Sequence, residues 1–199
     1  MNSTSLEQEV KRFLNEKKVS FEDNSASYTH LDFVILFKGE PYFYLEVKEK
    51  RRRYNAKNWP PFAEEVDLFI IDDLTVRKCL AHAPRSGVLV RDSGRDNGQD
   101  AYFFFSVIDL ALMPRLRVNR EIRRKASGVK GKWLINLRNG VRAGNIEGAF
   151  AALRAYVEKL DDDLFTATEC HGDYVGEEVA VGGTVRKSFY WNRDVQSTR

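Results

Sequence analysis

The chain has 199 residues, 43% of them hydrophobic, with 32 Lys and Arg against 29 Asp and Glu for a formal net charge of +3. That length allows one domain of ordinary size with an extension, or two small ones, and the apolar fraction is enough for a real core. No apolar run is long enough to span a bilayer and Met1 to Ser5 lacks the parts of a signal peptide, so a cytoplasmic protein with no membrane partner is expected. Cys79 and Cys170 lie far apart and read as reduced, buried thiols; with only His30, His82 and His171 beside them, no zinc spacing is present.

Ser5 or a neighbour can cap a first helix running to about Lys18, with Leu6, Val10, Phe13 and Leu14 as its buried stripe. Glu7 and Glu9 flank that stripe, and each reads equally well as a carboxylate favoured by the helix's positive end. The stretch from Thr29 to Lys50 then reads as a hairpin, with arms Leu31 to Phe37 and Tyr42 to Lys48 around the turn residues Lys38-Gly39-Glu40-Pro41. A three-residue loop, Lys38 to Glu40, sets Phe37 opposite Pro41, Asp32 opposite Glu46 and His30 opposite Lys48. Alternation then puts Asp32, Val34, Leu36, Tyr42, Tyr44, Glu46 and Lys48 on one face. The other face, Leu31, Phe33, Ile35, Phe37, Phe43, Leu45 and Val47, is wholly apolar and must be core.

Two carboxylates and an ammonium are thus expected together at the open end of a largely buried sheet. With the backbone carbonyl of Val47 beside them, Asp32 and Glu46 make an all-oxygen site that suits Mg²⁺ or Mn²⁺. Lys48 points to the same side, placed to orient a water for attack on a phosphodiester while a metal neutralises charge on the phosphate. The plain structural alternative is a cross-strand ion pair at an exposed strand end, worth about 0.2–1 kcal/mol. Asp32 is embedded in a run that otherwise reads as buried strand, which favours the functional reading.

His30-Leu31-Asp32 followed by Glu46-Val47-Lys48 resembles the PD-(D/E)XK nuclease superfamily, without the Pro of the family's name, which is often absent there. The resemblance implies that Asp32 and Glu46 bind Mg²⁺ and that Lys48 helps activate the water. It also implies a first-helix glutamate at the metal. Glu7-Gln8-Glu9-Val10-Lys11-Arg12-Phe13-Leu14 looks like that helix in Holliday-junction resolvases, with Glu7 favoured and Glu9 the close alternative.

After the hairpin, Lys50, Arg51, Arg52, Arg53 and Lys57 form a basic run with Tyr54 and Trp59, suited to gripping phosphate oxygens and stacking a base or sugar; a solvated loop is the alternative. Val66 to Ile71 reads as a buried strand, Asp72 and Asp73 as turn formers and a cap, Leu74 to His82 as a short helix, and Gly87 to Arg91 as a strand, the unit implying a parallel crossover. Asp92 to Asp100 reads as a polar, mobile loop before an aromatic strand from Ala101 to Val107. Pro114 opens an expected helix to Gly128 whose Arg117, Arg120, Arg123, Arg124 and Lys125 form a cationic face for a polyanion, or for an acidic subunit contact. Asn145 can cap a last helix whose stripe, Ile146, Phe150, Leu153, Val157 and Leu160, reads as packed core or as the seam of a homodimer. Val179 to Val181 and Thr184 to Trp191 read as a hairpin.

The expected fold is α/β. The resemblance implies a restriction-endonuclease-like core over residues 1–110, a central mixed sheet flanked by helices. A basic helical and β carboxy-terminal extension over 111–199 follows, free to pack on the core as one domain. The expected activity is metal-dependent DNA endonuclease action of restriction, repair or junction-resolving type, branched DNA included. The rival readings are a non-cutting nucleic-acid-binding module of the same fold and a protein-interaction domain.

Overall fold

The computed structural model describes residues 4–55, 58–121, 129–162 and 174–175. Leu6, Val10 and Leu14 recur at helical spacing and are fully buried along α1 (Leu6–Glu16), where the Ser5 hydroxyl caps the first turn by accepting from Gln8 N–H. A short strand that the sequence did not announce, β1 (Phe21–Asp23), leads into the hairpin of β2 (Phe33–Phe37) and β3 (Glu40–Lys50). The chain continues as β4 (Leu68–Asp72), α2 (Asp73–Ala81), β5 (Ser86–Asp96), β6 (Gln99–Ser106), α3 (Val107–Leu112), β7 (Arg115–Glu121), β8 (Val129–Asn136), β9 (Val141–Ala143) and α4 (Ile146–Asp162).

Six strands form the main sheet in the order β1-β2-β3-β5-β6-β9, with β3 and β5 parallel and the other neighbours antiparallel, so the sheet is mixed. Packed on one face are α1 and α4, whose Leu14, Phe150, Leu153 and Val157 meet Phe33, Phe43, Leu45, Val47 and Phe104. On the other face Val88, Val90, Phe103 and Phe105 meet Val76 and Cys79 of α2, and Phe69, Ile71 and Ile135 of a second sheet ordered β4-β8-β7. Both faces of the central strands are therefore covered, as a parallel pair requires. Burial pushes the free Cys79 thiol up to about 12, a value at which it stays protonated.

Five expectations change. The hairpin loop is two residues, Lys38 and Gly39, both at positive φ, and Phe37 faces Glu40 rather than Pro41. A bulge follows, so that Leu36 pairs with Pro41 but Ile35 with Phe43. The extra residue restores the expected register at Phe33 and Leu45, next to Asp32 and Glu46. Leu31 lies past the end of β2 and joins the opposite core from Phe33. The strand after the basic run, β4, pairs with β8 in the second sheet, so the parallel crossover runs from β3 to β5 around both β4 and α2.

Asp92 to Asp100 is no open loop: β5 and β6 continue through it and turn at Asn97 and Gly98. The expected cationic helix after Pro114 is instead strand β7, paired with β8. Its sequence Arg115-Leu116-Arg117-Val118-Asn119-Arg120 alternates with period two. Leu116 is fully buried, so that alternation prevails over the three- and four-residue spacing of the arginines. Arg117 and Arg120 therefore point to opposite faces. Lys57, Arg123, Arg124, Lys125, Cys170, His171 and the expected carboxy-terminal hairpin lie outside the described residues.

Candidate active site

Asp32, one residue before β2, and Glu46, in the middle of β3, are both buried, and they converge. Asp32 Oδ2 accepts the backbone N–H of Val47 at 2.9 Å, which fixes the carboxylate against the strand that carries its partner. Lys48 folds back along β3 and places its ammonium 2.6 Å from Glu46 Oε1, 3.2 Å from the Val47 carbonyl oxygen and 3.8 Å from Asp32 Oδ2. The cation that occupies the centre of these three oxygens is thus the chain's own.

Helix α2 supplies two partners that sequence reasoning did not assign. Thr75 donates its hydroxyl to Glu46 Oε1 at 3.3 Å, and Lys78 sets its ammonium 3.2 Å from Glu46 Oε2 and 2.5 Å from the His30 carbonyl oxygen. Thr75 and Lys78 stand three apart, so they share a helix face. That spacing was readable; what the face would meet was not. Glu46 is therefore held by two ammonium groups and a hydroxyl.

Burial raises the Asp32 carboxyl above its ordinary range; Lys48 opposes this without cancelling it, and Glu46 adds to it. Burial also works against the charge on Lys48, but Glu46 and Asp32 together outweigh it and hold Lys48 above its ordinary value.

As a donor set for a cation, the corner offers two carboxylates and one carbonyl, all oxygen, around a point that already attracts positive charge. This fits Mg²⁺, which keeps several waters and takes only one or two carboxylates from a protein. Among the described residues no group of three or more His, Cys, Asp or Glu side chains gathers around one point, so Glu7 does not complete a cluster with Asp32 and Glu46. Glu7 is exposed and lines, with Val47, Lys48 and Arg51, a cleft of about 180 Å³. Glu9 is engaged elsewhere, accepting from Arg91 and from the Tyr102 hydroxyl at 2.6 Å each.

The expected phosphate-binding residues divide. Lys50 is buried, because β3 runs on to it: Glu49 and Lys50 stand in register with Arg91 and Asp92 of β5. Its ammonium lies 3.4 Å from Asp92 and donates to the Val66 carbonyl, so Lys50 cannot reach a phosphate. Arg51 pairs with Glu49 at 2.7 Å, while Arg52 and Arg53 are exposed. Arg117 stays exposed but is paired with Asp73 at 3.0 Å, where Trp133 also donates to that carboxylate at 2.8 Å. Arg120 lies over the ring of Trp59, 4.2 Å from its centroid. Asp72 and Asp73, read as turn formers, are also ion-pair hubs: Lys130 and Lys132 hold Asp72, and Arg77 joins Arg117 at Asp73.

No family model matches the sequence, and no curated protein does. A solved structure described as D212, a nuclease from a fusselovirus, is similar with a TM-score of 0.39 and 11% identity, over 77% of this chain and 88% of that one. A likeness at that level is one of outline, so a function has to be read from the site itself.

Proposed function

We propose that the protein is a metal-dependent nuclease that hydrolyses phosphodiester bonds in DNA as an endonuclease, with Asp32, Glu46 and the Val47 carbonyl holding Mg²⁺ or Mn²⁺. The observation that carries the reading is the convergence of these three oxygens, two of them on buried carboxylates, about one cation. Bound there, the ion would supply Lewis-acid stabilisation of charge on the phosphate and lower the pKa of a coordinated water.

The chain's own residues do the rest. Lys48, half-buried beside the oxygens, would orient the attacking water and the phosphate with its ammonium when the ion is bound. Lys78 and Thr75 stay on Glu46 and keep its carboxylate aimed. Glu7 lines the cleft beside Val47 and Lys48 and takes no part in holding the ion. Arg52 and Arg53 grip the backbone beside the site, which makes affinity fall steeply with salt and carry no sequence preference.

The test is cleavage of linear, single-stranded and four-way-junction DNA with Mg²⁺, Mn²⁺ or chelator, for the native chain, Asp32→Ala and Lys48→Ala. Cutting that needs the metal and falls about 100-fold or more in both variants is expected. The same ammonium also favours a second reading, a non-cutting DNA-binding module in which Lys48 bridges the carboxylates permanently. DNA binding by all three proteins with no cutting under any metal would replace the first reading by the second.

A further inference from the structure

Away from the carboxylates, a groove of about 430 Å³ is lined by Arg52, Arg53, Tyr54, Asn58, Trp59 and Arg120. Its wall is built in layers from the core outward. Phe69 of β4 is buried; Tyr54 packs edge-on against it at 6.4 Å, Trp59 edge-on against Tyr54 at 6.4 Å, and Arg120 of β7 lies over Trp59 with its guanidinium carbon 4.2 Å from the ring centroid. The outermost layer, Arg120, is exposed. Among the described residues neither Arg52, Arg53 nor Arg120 has a carboxylate partner, in contrast to Arg51, Arg77, Arg91, Arg95 and Arg117.

An arginine held over an indole leaves its outer side open to one more planar group, and arginines without carboxylate partners beside it favour an anion. Bases of an unpaired strand satisfy both, since each carries a π face and a phosphate. A duplex does not, because its bases are stacked on one another and unavailable. Arg52 follows Lys48 by four residues, at most about 14 Å along the chain, which a stacked strand covers in about four nucleotides.

We propose that this groove seats an unpaired stretch of DNA strand, one base stacking on the outer face of Arg120 and the flanking phosphates lying on Arg52 and Arg53. The inference deepens the nuclease reading by naming the substrate as DNA with a single-stranded segment. Its test is therefore read as binding in chelator, where cutting plays no part.

The experiment measures fluorescence anisotropy of a labelled short oligothymidine and of a duplex of equal length, at one salt concentration, with the native chain, Arg120→Lys, Trp59→Phe and Arg52→Ala. Arg120→Lys keeps the charge and removes the plane. The expected result is tighter binding of the single strand than of the duplex, and a loss of roughly tenfold for the single strand in Arg120→Lys with duplex binding unchanged, the size that base stacking of about 1–3 kcal/mol implies. Arg52→Ala should weaken both and flatten the salt dependence. Equal single-strand binding by the native chain and Arg120→Lys would overturn the proposal, as would an equal loss for duplex and single strand. Absence of DNA binding in the native chain would overturn it as well and point to a protein partner. Failure of the cleavage test with these binding results intact would leave the groove standing and remove only the nuclease.

Discussion

Asp32 carries a cost that its neighbours only partly offset. Its carboxyl binds a proton more tightly in the fold than in the unfolded chain, chiefly through burial. Such a group stabilises the fold fully below its unfolded pKa and loses that contribution as pH rises through its folded value. In chelator, Asp32→Asn is therefore expected to melt above the native chain at pH 7, with the gap closing as pH falls through the carboxylate range. A variant less stable at pH 7 in a thermal scan would count against this account. Lys50 gives the opposite kind of test, because it was expected at a phosphate and lies buried beside Asp92. Removing one member of a buried pair costs about 3–5 kcal/mol, and the low end applies to Lys50→Ala because Arg95 still serves Asp92 at 2.9 Å. Urea denaturation should show that loss, and DNA affinity at fixed salt should stay as it was. Asp32, Glu46 and Lys48 were legible because strand alternation is local. Thr75 and Lys78 were not, since only the packing of α2 on β3 brings them to Glu46.

Among the elements, the β2–β3 hairpin depends on its turn. Gly39 sits at φ +85° with open space where a Cβ would stand, so a side chain there meets no clash and the whole penalty is backbone strain. Gly39→Ala is expected to cost about 1 kcal/mol in urea unfolding while leaving the bulge and the Asp32–Glu46 register in place. A loss of several kcal/mol would mean that the turn does more than join two strands. The two-residue loop was hidden in the sequence by Pro41, which reads as turn punctuation but lies within β3 as the partner of Leu36. Strand β7 was misread for a related reason. Its arginines fit a helix and a strand alike, and the decision lay in pairing with β8 across residues 122–128, which no window along one segment sees.

At the scale of the molecule, β9 closes the sheet against β6, and α4 buries Phe150, Leu153 and Val157 on the same core as α1. Fully burying one such side chain is worth about 1.5–3 kcal/mol, against a total stability of about 5–15 kcal/mol for a domain. A chain ended after Gly140 is accordingly expected to lose cooperative unfolding, as followed by circular dichroism. Retention of a sharp transition would show that residues before 141 form a unit of their own. The overall class, a mixed sheet between layers of helix, could be read from the order of patterned segments. The second sheet could not, because β4 comes from a part of the chain distant from the neighbouring β7 and β8 and meets β8 only by tertiary contact.

The corner formed by Asp32, Glu46, Lys48 and Lys78 holds two formal negative and two formal positive charges, so its field largely cancels at a distance. Neutrality makes it a ledger that any arriving ion must unbalance. A divalent cation entering it leaves a surplus of positive charge, and a polyanion arriving beside it restores the balance. On the proposed function each guest would improve the site for the other, and by thermodynamic reciprocity the factor by which the ion tightens DNA would equal the factor by which DNA tightens the ion.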